Sequence, residues 1–571
     1  MPSLLPVRVR GHTYWRIVES RRVKGKPRPV PVLYLGTADA LLDRLLKAEA
    51  GRLRVRSYEH GAVAALKAAA DRLGVTSIID DKVKTSARGL SVGTTMVLAA
   101  INRAVKPRSK RGWAGWAKGT SLHRPYRGLK PEKLTSEYFW DQMDCISLKA
   151  LEEIEEELTK RIVSTLGVEL DTLFYDTTNF FTYIATTNKK STLARRGRSK
   201  QKRNDLRIFS LALLVSRDGH IPLCSHVYEG NRPDSRQFAA SLTAIRERIE
   251  KLSIGLKGIT LVYDKGNNSK SNQKLVDDAP FGYVASLVPS QHRELLGLPV
   301  SSYEPVTSGR LEGTPVLRLT KDIWGAERTV VLFVSETLRA GQVRGLEQHM
   351  QKLLGKLNAW KEKLTKPRSG PKSVENAEKK IESLLSAQHL KKIVKVLYDP
   401  KRKGAKRLSW RIDTAAREHL EREVFGKRIL VTDRHGWTDE EIILAYRGQS
   451  EVEGAFRQLK DDEHLAIRPQ YHWTDHKVRV HVFLCLVAFL LARVVEREAR
   501  AAGRRECLSG IMDVLSEVRL AMVLTASGKK GGRPRATWQL EETAPGIIEL
   551  FRRLVPGRPP FVYTPPGTLN A

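Results

Sequence analysis

Three acids stand where carboxylates could do chemistry together. "LDTLFYD" (170–176) is an apolar run ending in Asp176, and "ITLVYD" (259–264) is a second ending in Asp264. "YRGQSEVEGAFRQLK" (446–460) reads as a helix that carries Glu453. At ~100° per residue, Tyr446, Gln449, Glu453 and Lys460 fall within roughly 60° of one another, with Arg457 beside them. Val452, Ala455, Phe456 and Leu459 share the adjoining face, which packs. If the two strands are neighbours and the helix returns to the same sheet edge, three carboxylates meet. They would repel one another unless a divalent cation neutralised them. Oxygen ligands select Mg²⁺ or Mn²⁺ rather than zinc. Two such ions about 4 Å apart activate a water or hydroxyl and stabilise the leaving oxygen of an in-line phosphoryl displacement. Asp176, Asp264 and Glu453 would then be the metal ligands, and Tyr446, Gln449, Arg457 and Lys460 would grip the nucleic acid. Taken singly, each acid has a plainer explanation: a strand-end aspartate as turn or cap, a helix glutamate as solvated surface.

Several elements would have to position these groups. "LRIFSLALLVSRDGHIPLCSHVYEG" (206–230) reads as strand, Asp-Gly turn, strand. The helix at 235–252 follows, with Phe238, Leu242, Ile245, Ile249 and Leu252 on one face. Another strand is expected at "FGYVASL" (281–287), so the pattern is α/β, a mixed sheet with helices packed on it. After 288 the order changes. "TPVLRLT" and "RTVVLFVSE" are β-like, then Leu346, Met350, Leu353, Leu357 and Leu364 recur at near-heptad spacing. A loop at 364–373 and a second long helix at 374–397 complete a helical hairpin. The α/β pattern resumes at "KRILVTDRHGWTDEE", where "TDEE" has the form of a capping box. Residues 288–435 therefore read as an insertion.

Composition points to the partner. Lys+Arg total 99 against 63 Asp+Glu, a formal net charge of +36, which attracts polyanions, nucleic acid first among them. "KKSTLARRGRSKQKRNDLR" (189–207) holds nine Lys/Arg and one acid, so Arg195, Arg196, Arg198 and Lys200 are placed to track a phosphate backbone. Residues 103–133 hold ten Lys/Arg and one acid, with Trp113, Trp116 and Tyr126 interleaved, and read as a second DNA-contacting region. "KKGGRPRATW" (529–538) contains the form of a minor-groove hook, but it reads first as a flexible basic linker. Four scattered cysteines with no CxxC pair argue against a disulfide framework or a cysteine zinc site. His472, His476 and His481 have no acid or cysteine at zinc spacing and read as packing or DNA-facing residues. The N-terminal stretch has no apolar core for a signal peptide. The longest apolar run, 482–492, falls short of the about 20 residues of a membrane span. A cytoplasmic protein without a membrane partner is expected.

These residues resemble the DDE class of bacterial insertion-sequence transposases, most closely the branch with a Tyr, Arg, Glu, Lys signature at spacings of three, four and seven. Tyr446, Gln449, Glu453 and Lys460 keep that spacing, "FYDTTNF" resembles the first-aspartate motif and "LVYDKGNNS" the second. "LAIRPQYHWTDHKVRVHVFLCLVAFLLAR" resembles the segment that closes the family's catalytic domain. One position departs: Gln449 stands where the signature has arginine, supplying an amide but no charge, and Arg457 is the cation nearest to compensate. The resemblance implies a ribonuclease-H-like catalytic core that binds terminal inverted repeats and target DNA, with Mg²⁺ (Mn²⁺ as substitute), two ions per site. It implies strand cleavage, excision through a hairpin intermediate and 3′-hydroxyl strand transfer, by a homodimer in the DNA complex. The division expected is an N-terminal β-meander (1–40), a helical DNA-binding region (41–165), the first part of the core (166–287), an α+β insertion (288–435), the second part of the core (436–495) and a C-terminal region (496–571). A catalytically silent DNA-binding protein descended from a transposase, or a structure-specific nuclease, are the alternatives.

Overall fold

The computed structural model describes residues 2–9, 11–23, 26–42, 54–83, 89–126, 128–251, 258–366, 370–371, 373–461, 463–468, 470–525 and 535–556. The chain divides into two compact units, one of residues 81–83 and 146–493, the other of residues 1–80, 84–145 and 494–571.

The first is built on a nine-stranded mixed sheet. Its strands are β1 (Thr172–Thr182), β2 (Arg207–Ser216), β3 (Pro222–Glu229), β4 (Thr260–Tyr263), β5 (Gly282–Ser286), β6 (Glu304–Pro305), β7 (Pro315–Ile323) and β8 (Ala326–Val334); a separate hairpin of β9 (Val394–Tyr398) and β10 (Leu408–Ile412) intervenes before β11 (Lys427–Thr432). The order across the sheet is β6-β7-β8-β11-β5-β4-β1-β2-β3. β1, β2 and β3 are antiparallel neighbours, whereas β4 runs parallel to β1 and β5 parallel to β4. The β2–β3 turn passes through Gly219 and His220, both at positive φ, at the expected Asp-Gly step. β1 and β2 are buried along nearly their whole length, which is why they read as apolar runs rather than as alternating strands.

Helices cover this sheet. α1 (Leu148–Leu166) starts at Ser147, whose hydroxyl accepts from the Ala150 N–H, and stops at Gly167 in the left-handed region. α2 (Asp234–Glu250) buries Phe238, Leu242, Ile245 and Ile249; Leu252 lies outside the described residues. α3 (Glu336–Lys363) and α4 (Val374–Leu384) close their own small core, in which Leu346, Met350, Leu353, Leu357, Trp360 and Leu364 are buried. α5 (Asp439–Arg447) opens on a complete capping box between Thr438 and Glu441. α6 (Gln449–Gln458) and the long α7 (Asp475–Ala501) follow, α7 belonging to this unit through Arg493. Among the described residues α7 is the one helix long and apolar enough to cross a membrane, and 94% of its most apolar window is buried in the protein.

Three expectations change here. The second hairpin helix does not run to 397: it ends at Leu384, His389 takes a positive φ, and Val394–Tyr398 form β9. β-Branched Val394 and Val396 favour that extended pairing with β10. Residues 288–435 are not wholly an insertion, because β7 and β8 extend the main sheet and β11 lies near its middle, between β8 and β5. What leaves the sheet is 335–426. The single helix expected over 446–460 is two helices with a break at Gly448, and Lys460 lies past the end of α6.

In the second unit, Pro2–Val9, His12–Val23 and Lys26–Thr37 form a three-stranded antiparallel sheet. Arg54–Glu59 pairs with Arg519–Thr525, which pairs in turn with Arg535–Leu540, so segments far apart in sequence share one sheet. Trp113 and Trp116 do not form a stacking platform for bases. Both are buried, Trp113 edge-on to Phe139, while Lys106, Arg108, Arg111 and Lys118 around them are exposed. Residues 43–53, 526–534 and 557–571, which include the start of the expected helical region, most of the hook and the end of the C-terminal region, lie outside the described residues.

Candidate functional site

Strand register brings two of the three acids together. Tyr175 of β1 pairs with Tyr263 of β4 in parallel, so the next residues along the two strands, Asp176 and Asp264, are neighbours where β4 ends. Adjacent strands lie about 4.8 Å apart, within reach of one cation or one phosphate for both side chains. The third acid arrives on α6, which packs on β1. Val452, Ala455, Phe456 and Leu459, the expected packing stripe, are all buried, and Glu453 and Arg457 are exposed. Gly448 makes the approach possible: a Cβ there would lie 2.3 Å from Cζ of Phe174. The helix break is therefore the place where the chain presses on β1.

The carboxylates feel one another. Burial pushes the Asp176 carboxyl up to about 6, and the charges of Asp264 and Glu453 push the same way. Lys200 and the N–H of Thr177 oppose that rise. The Lys200 Nζ donates to the Thr177 carbonyl at 2.7 Å, and Lys460 Nζ donates to Thr178 Oγ1 at 2.5 Å, one residue further along β1. Burial lowers the Lys460 ammonium to about 8, with Lys200 and Arg468 adding to the fall and Asp176 resisting it. Two lysines thus flank the first aspartate along its own strand.

Asp264 is held differently. Its Oδ1 accepts from Ser286 Oγ at 2.8 Å and from the Tyr446 hydroxyl at 3.1 Å. The Tyr446 hydroxyl in turn accepts from Arg428 at 3.3 Å. Tyr446 is buried, and its phenol is raised to about 12, first by burial and then by the Asp264 charge. The structure therefore places Tyr446 against the second aspartate rather than on an open surface. Gln449 is also buried, at 7% exposure, so this signature position packs.

The basic segment after β1 is anchored. The Asp475 carboxylate at the start of α7 accepts from Ser191 Oγ at 2.7 Å, Thr192 N at 2.9 Å and Leu193 N at 3.0 Å, and also from Thr192 Oγ1. Arg195 exchanges backbone hydrogen bonds with Ile208 of β2, at 2.9 and 2.7 Å. Asn179 of β1 binds the Arg198 carbonyl at 3.2 Å and the Lys200 N–H at 3.1 Å. Arg195, Arg196, Arg198 and Lys200 are all exposed on this strapped segment. Sequence reasoning misses two of these supports, Asp475 and Asn179, and also Ser286 and Arg428. Asp475 has a local signal, an acid in the first turn of a helix; the others act across the sheet and have none.

No protein-family model matches the chain, and no curated protein matches it. Among solved structures, the piggyBac transposase synaptic complex with hairpin DNA is similar at a TM-score of 0.36 and 8% identity, covering 81% of this chain and 82% of that one. A TM-score of that size leaves function to be read from the site.

That site offers oxygen donors. Among the described residues, no three His, Cys, Asp or Glu side chains already enclose a common point. Asp176 does not end its strand, contrary to what the apolar run 170–176 suggests: β1 continues through it to Thr182, while Asp264 lies just past β4. Burial first, and then the charges of Asp264 and Glu453, raise the Asp176 pKa, and the three carboxylates would make a hard, all-oxygen donor set suited to a divalent cation. The histidines serve elsewhere. His476 Nε2 meets the Ile146 carbonyl at 2.6 Å and His481 Nε2 the Ile467 carbonyl at 2.9 Å, as packing histidines do.

Proposed function

We propose that this chain is a DNA transposase of the DDE class, cutting and joining phosphodiesters with Asp176, Asp264 and Glu453 as the working carboxylates. The observation that carries the reading is the parallel register of β1 and β4, which sets Asp176 beside Asp264 under a helix that brings Glu453 into electrostatic reach. The β3-β2-β1-β4-β5 order, three antiparallel strands followed by two parallel ones, supports a ribonuclease-H-like core. The exposed Arg195, Arg196, Arg198 and Lys200 on the segment strapped to β1 and β2, with Lys200 in electrostatic reach of Asp176, support a polyanionic substrate.

Asp176, Asp264 and Glu453 would hold Mg²⁺ or Mn²⁺, hard cations that suit oxygen ligands and that activate the attacking oxygen and stabilise the leaving one. The chain's own residues prepare the site. Ser286 and Tyr446 both bind Oδ1 of Asp264, fixing that carboxylate's orientation and leaving Oδ2 outside the pair of bonds. Lys200 and Lys460 offset the negative charge around Asp176, and the strapped basic segment holds the DNA backbone. In the first step a water oxygen bonds to phosphorus, the P–O3′ bond breaks and a 3′-hydroxyl is freed. In the second step that hydroxyl attacks another phosphodiester, so one P–O bond forms as one breaks.

The test uses full-length protein and a labelled duplex of the DNA bordering its own coding sequence, with Mg²⁺, Mn²⁺ or chelator. Metal-dependent nicking followed by joined products, both lost in Asp176→Asn, Asp264→Asn and Glu453→Gln, is expected. Nicking without joining would make the chain a nuclease. Binding without cleavage under either metal would refute the enzymatic reading.

A further inference from the structure

The sheet formed by Pro2–Val9, His12–Val23 and Lys26–Thr37 has little core of its own. Val18 is buried, but Leu4 and Leu33 on one side of the sheet, and Val9 and Tyr34 on the other, are each at least half exposed. A sheet this small needs a packed face to be stable, so an open apolar face is one that awaits a partner.

Register assigns the residues of that face. Leu4 pairs with Ile17 and Ile17 with Leu33, making an apolar row across all three strands. Arg8 pairs with Thr13 on the same side, toward one end, and Arg21 pairs with Arg28 toward the other. Arg8, Arg21 and Arg28 are exposed. Like charges directly opposite across two strands are unfavourable by themselves; Glu19 relieves the Arg21 side of this pair, and a further anion would relieve the Arg28 side. Residues 2–37 contain eight Lys/Arg and one acid, Glu19, which is already paired with Arg21 at 3.0 Å. Thr13 and Arg21 are eight residues apart, roughly 26 Å along the strand, enough to reach both walls of a major groove about 12 Å wide.

The edges argue against a second copy adding on as a further strand. Lys26–Thr37 carries Pro27, Pro29 and Pro31 at alternate positions, so one side of that edge lacks donors through this stretch, and the opposite edge strand carries Pro2 and Pro6. The partner must meet the face, and the face is cationic.

We propose that this N-terminal sheet is a duplex-DNA docking surface, with Arg8, Arg21 and Arg28 on phosphates and the Leu4–Ile17–Leu33 row seated between them. The inference rests on the reading that the chain acts on DNA, and it adds a binding surface separate from the carboxylates. The test compares full-length parent, Arg8→Ala/Arg21→Ala/Arg28→Ala and the matching triple Lys variant in a salt titration of binding to a labelled duplex. The alanine variant should bind at least tenfold more weakly at low salt. Its plot of log K against log salt should be shallower by about 2–3, at about 0.9 for each phosphate that the three arginines neutralise in the parent. The lysine variant should keep the parent slope, which shows that charge rather than folding is being read. If the parent binds duplex and the alanine variant binds with the same affinity and slope, the docking proposal is wrong while the DNA reading stands. If the parent itself binds no duplex, both fall. A Leu4→Glu change that dissociates a dimer while leaving DNA affinity untouched would assign the face to a second copy and overturn the proposal.

Discussion

Replacing Asp176 with asparagine should stabilise the folded chain while removing its activity. The carboxyl titrates at about 6 in the folded state, against 3.8 for an unperturbed aspartate, with burial as the main cause. Each pH unit of that difference is worth about 1.36 kcal/mol, so holding the group ionised above pH 6 costs the folded state about 3 kcal/mol relative to the unfolded chain. The sign follows from proton counts. Between about pH 4 and pH 6 the folded chain binds more protons at this site than the unfolded one, so the site's contribution to stability falls as pH rises through that window. Asparagine has nearly the same shape and no charge to hold, so it escapes the loss. Urea unfolding followed by tryptophan fluorescence, in chelator, should show the variant more stable by up to about 3 kcal/mol at pH 8, converging with the parent toward pH 4. Adding Mn²⁺ at about 100 times its dissociation constant should return about 2.7 kcal/mol to the parent and nothing comparable to the variant. A variant no more stable than the parent at pH 8 would refute the claim that this aspartate is held ionised against its preference.

Three further outcomes follow from the same geometry. Gly448→Ala should cost about 1–3 kcal/mol in the same unfolding assay, because its methyl must displace the Phe174 ring, and Phe174→Leu in the same chain should recover part of the loss. With Lys460 brought down to about 8, DNA affinity should weaken as pH rises from 7 to 9 and the ammonium loses its charge, and Lys460→Arg should flatten that profile. Asp475→Ala should release the 191–193 backbone, so that limited trypsin digestion cuts among Arg195, Arg196 and Arg198 much faster than in the parent.

The parts legible in sequence are those set by local pattern. A strand buried on both faces is a continuous apolar run, so Asp176 and Asp264, the acids that interrupt such runs, stand out; that β1 carries on past Asp176 to Thr182 does not show in the run itself. The packing stripe of α6 is legible for the same reason, through its helical period. What is illegible depends on partners distant in the chain. Gly448 is itself a local signal for a break, but the crowding that excludes a side chain there comes from Phe174, far away in the chain. Strands β7 and β8 look β-like in isolation, but only their pairing with β11 makes them part of the main sheet rather than of an insertion. Val394–Tyr398 continues a lysine-rich, helix-like stretch and turns into a strand because Leu408–Ile412 lies ready to pair with it. Around Trp113 and Trp116, basic composition draws attention to the wrong atoms: the cations face outward and the indoles fill the core. Tyr446 is recognisable by its spacing from Glu453, yet its hydroxyl is engaged with Asp264, an interaction that spacing along one helix does not encode.

The central claim is that Asp176, Asp264 and Glu453 act as one ion-binding site, and a Mn²⁺ titration followed by electron paramagnetic resonance tests it most directly. The parent should remove free Mn²⁺ from solution in a saturable way, and Asp176→Asn, Asp264→Asn and Glu453→Gln should each weaken that binding by an order of magnitude or more. Equal Mn²⁺ binding by parent and all three variants would contradict the account.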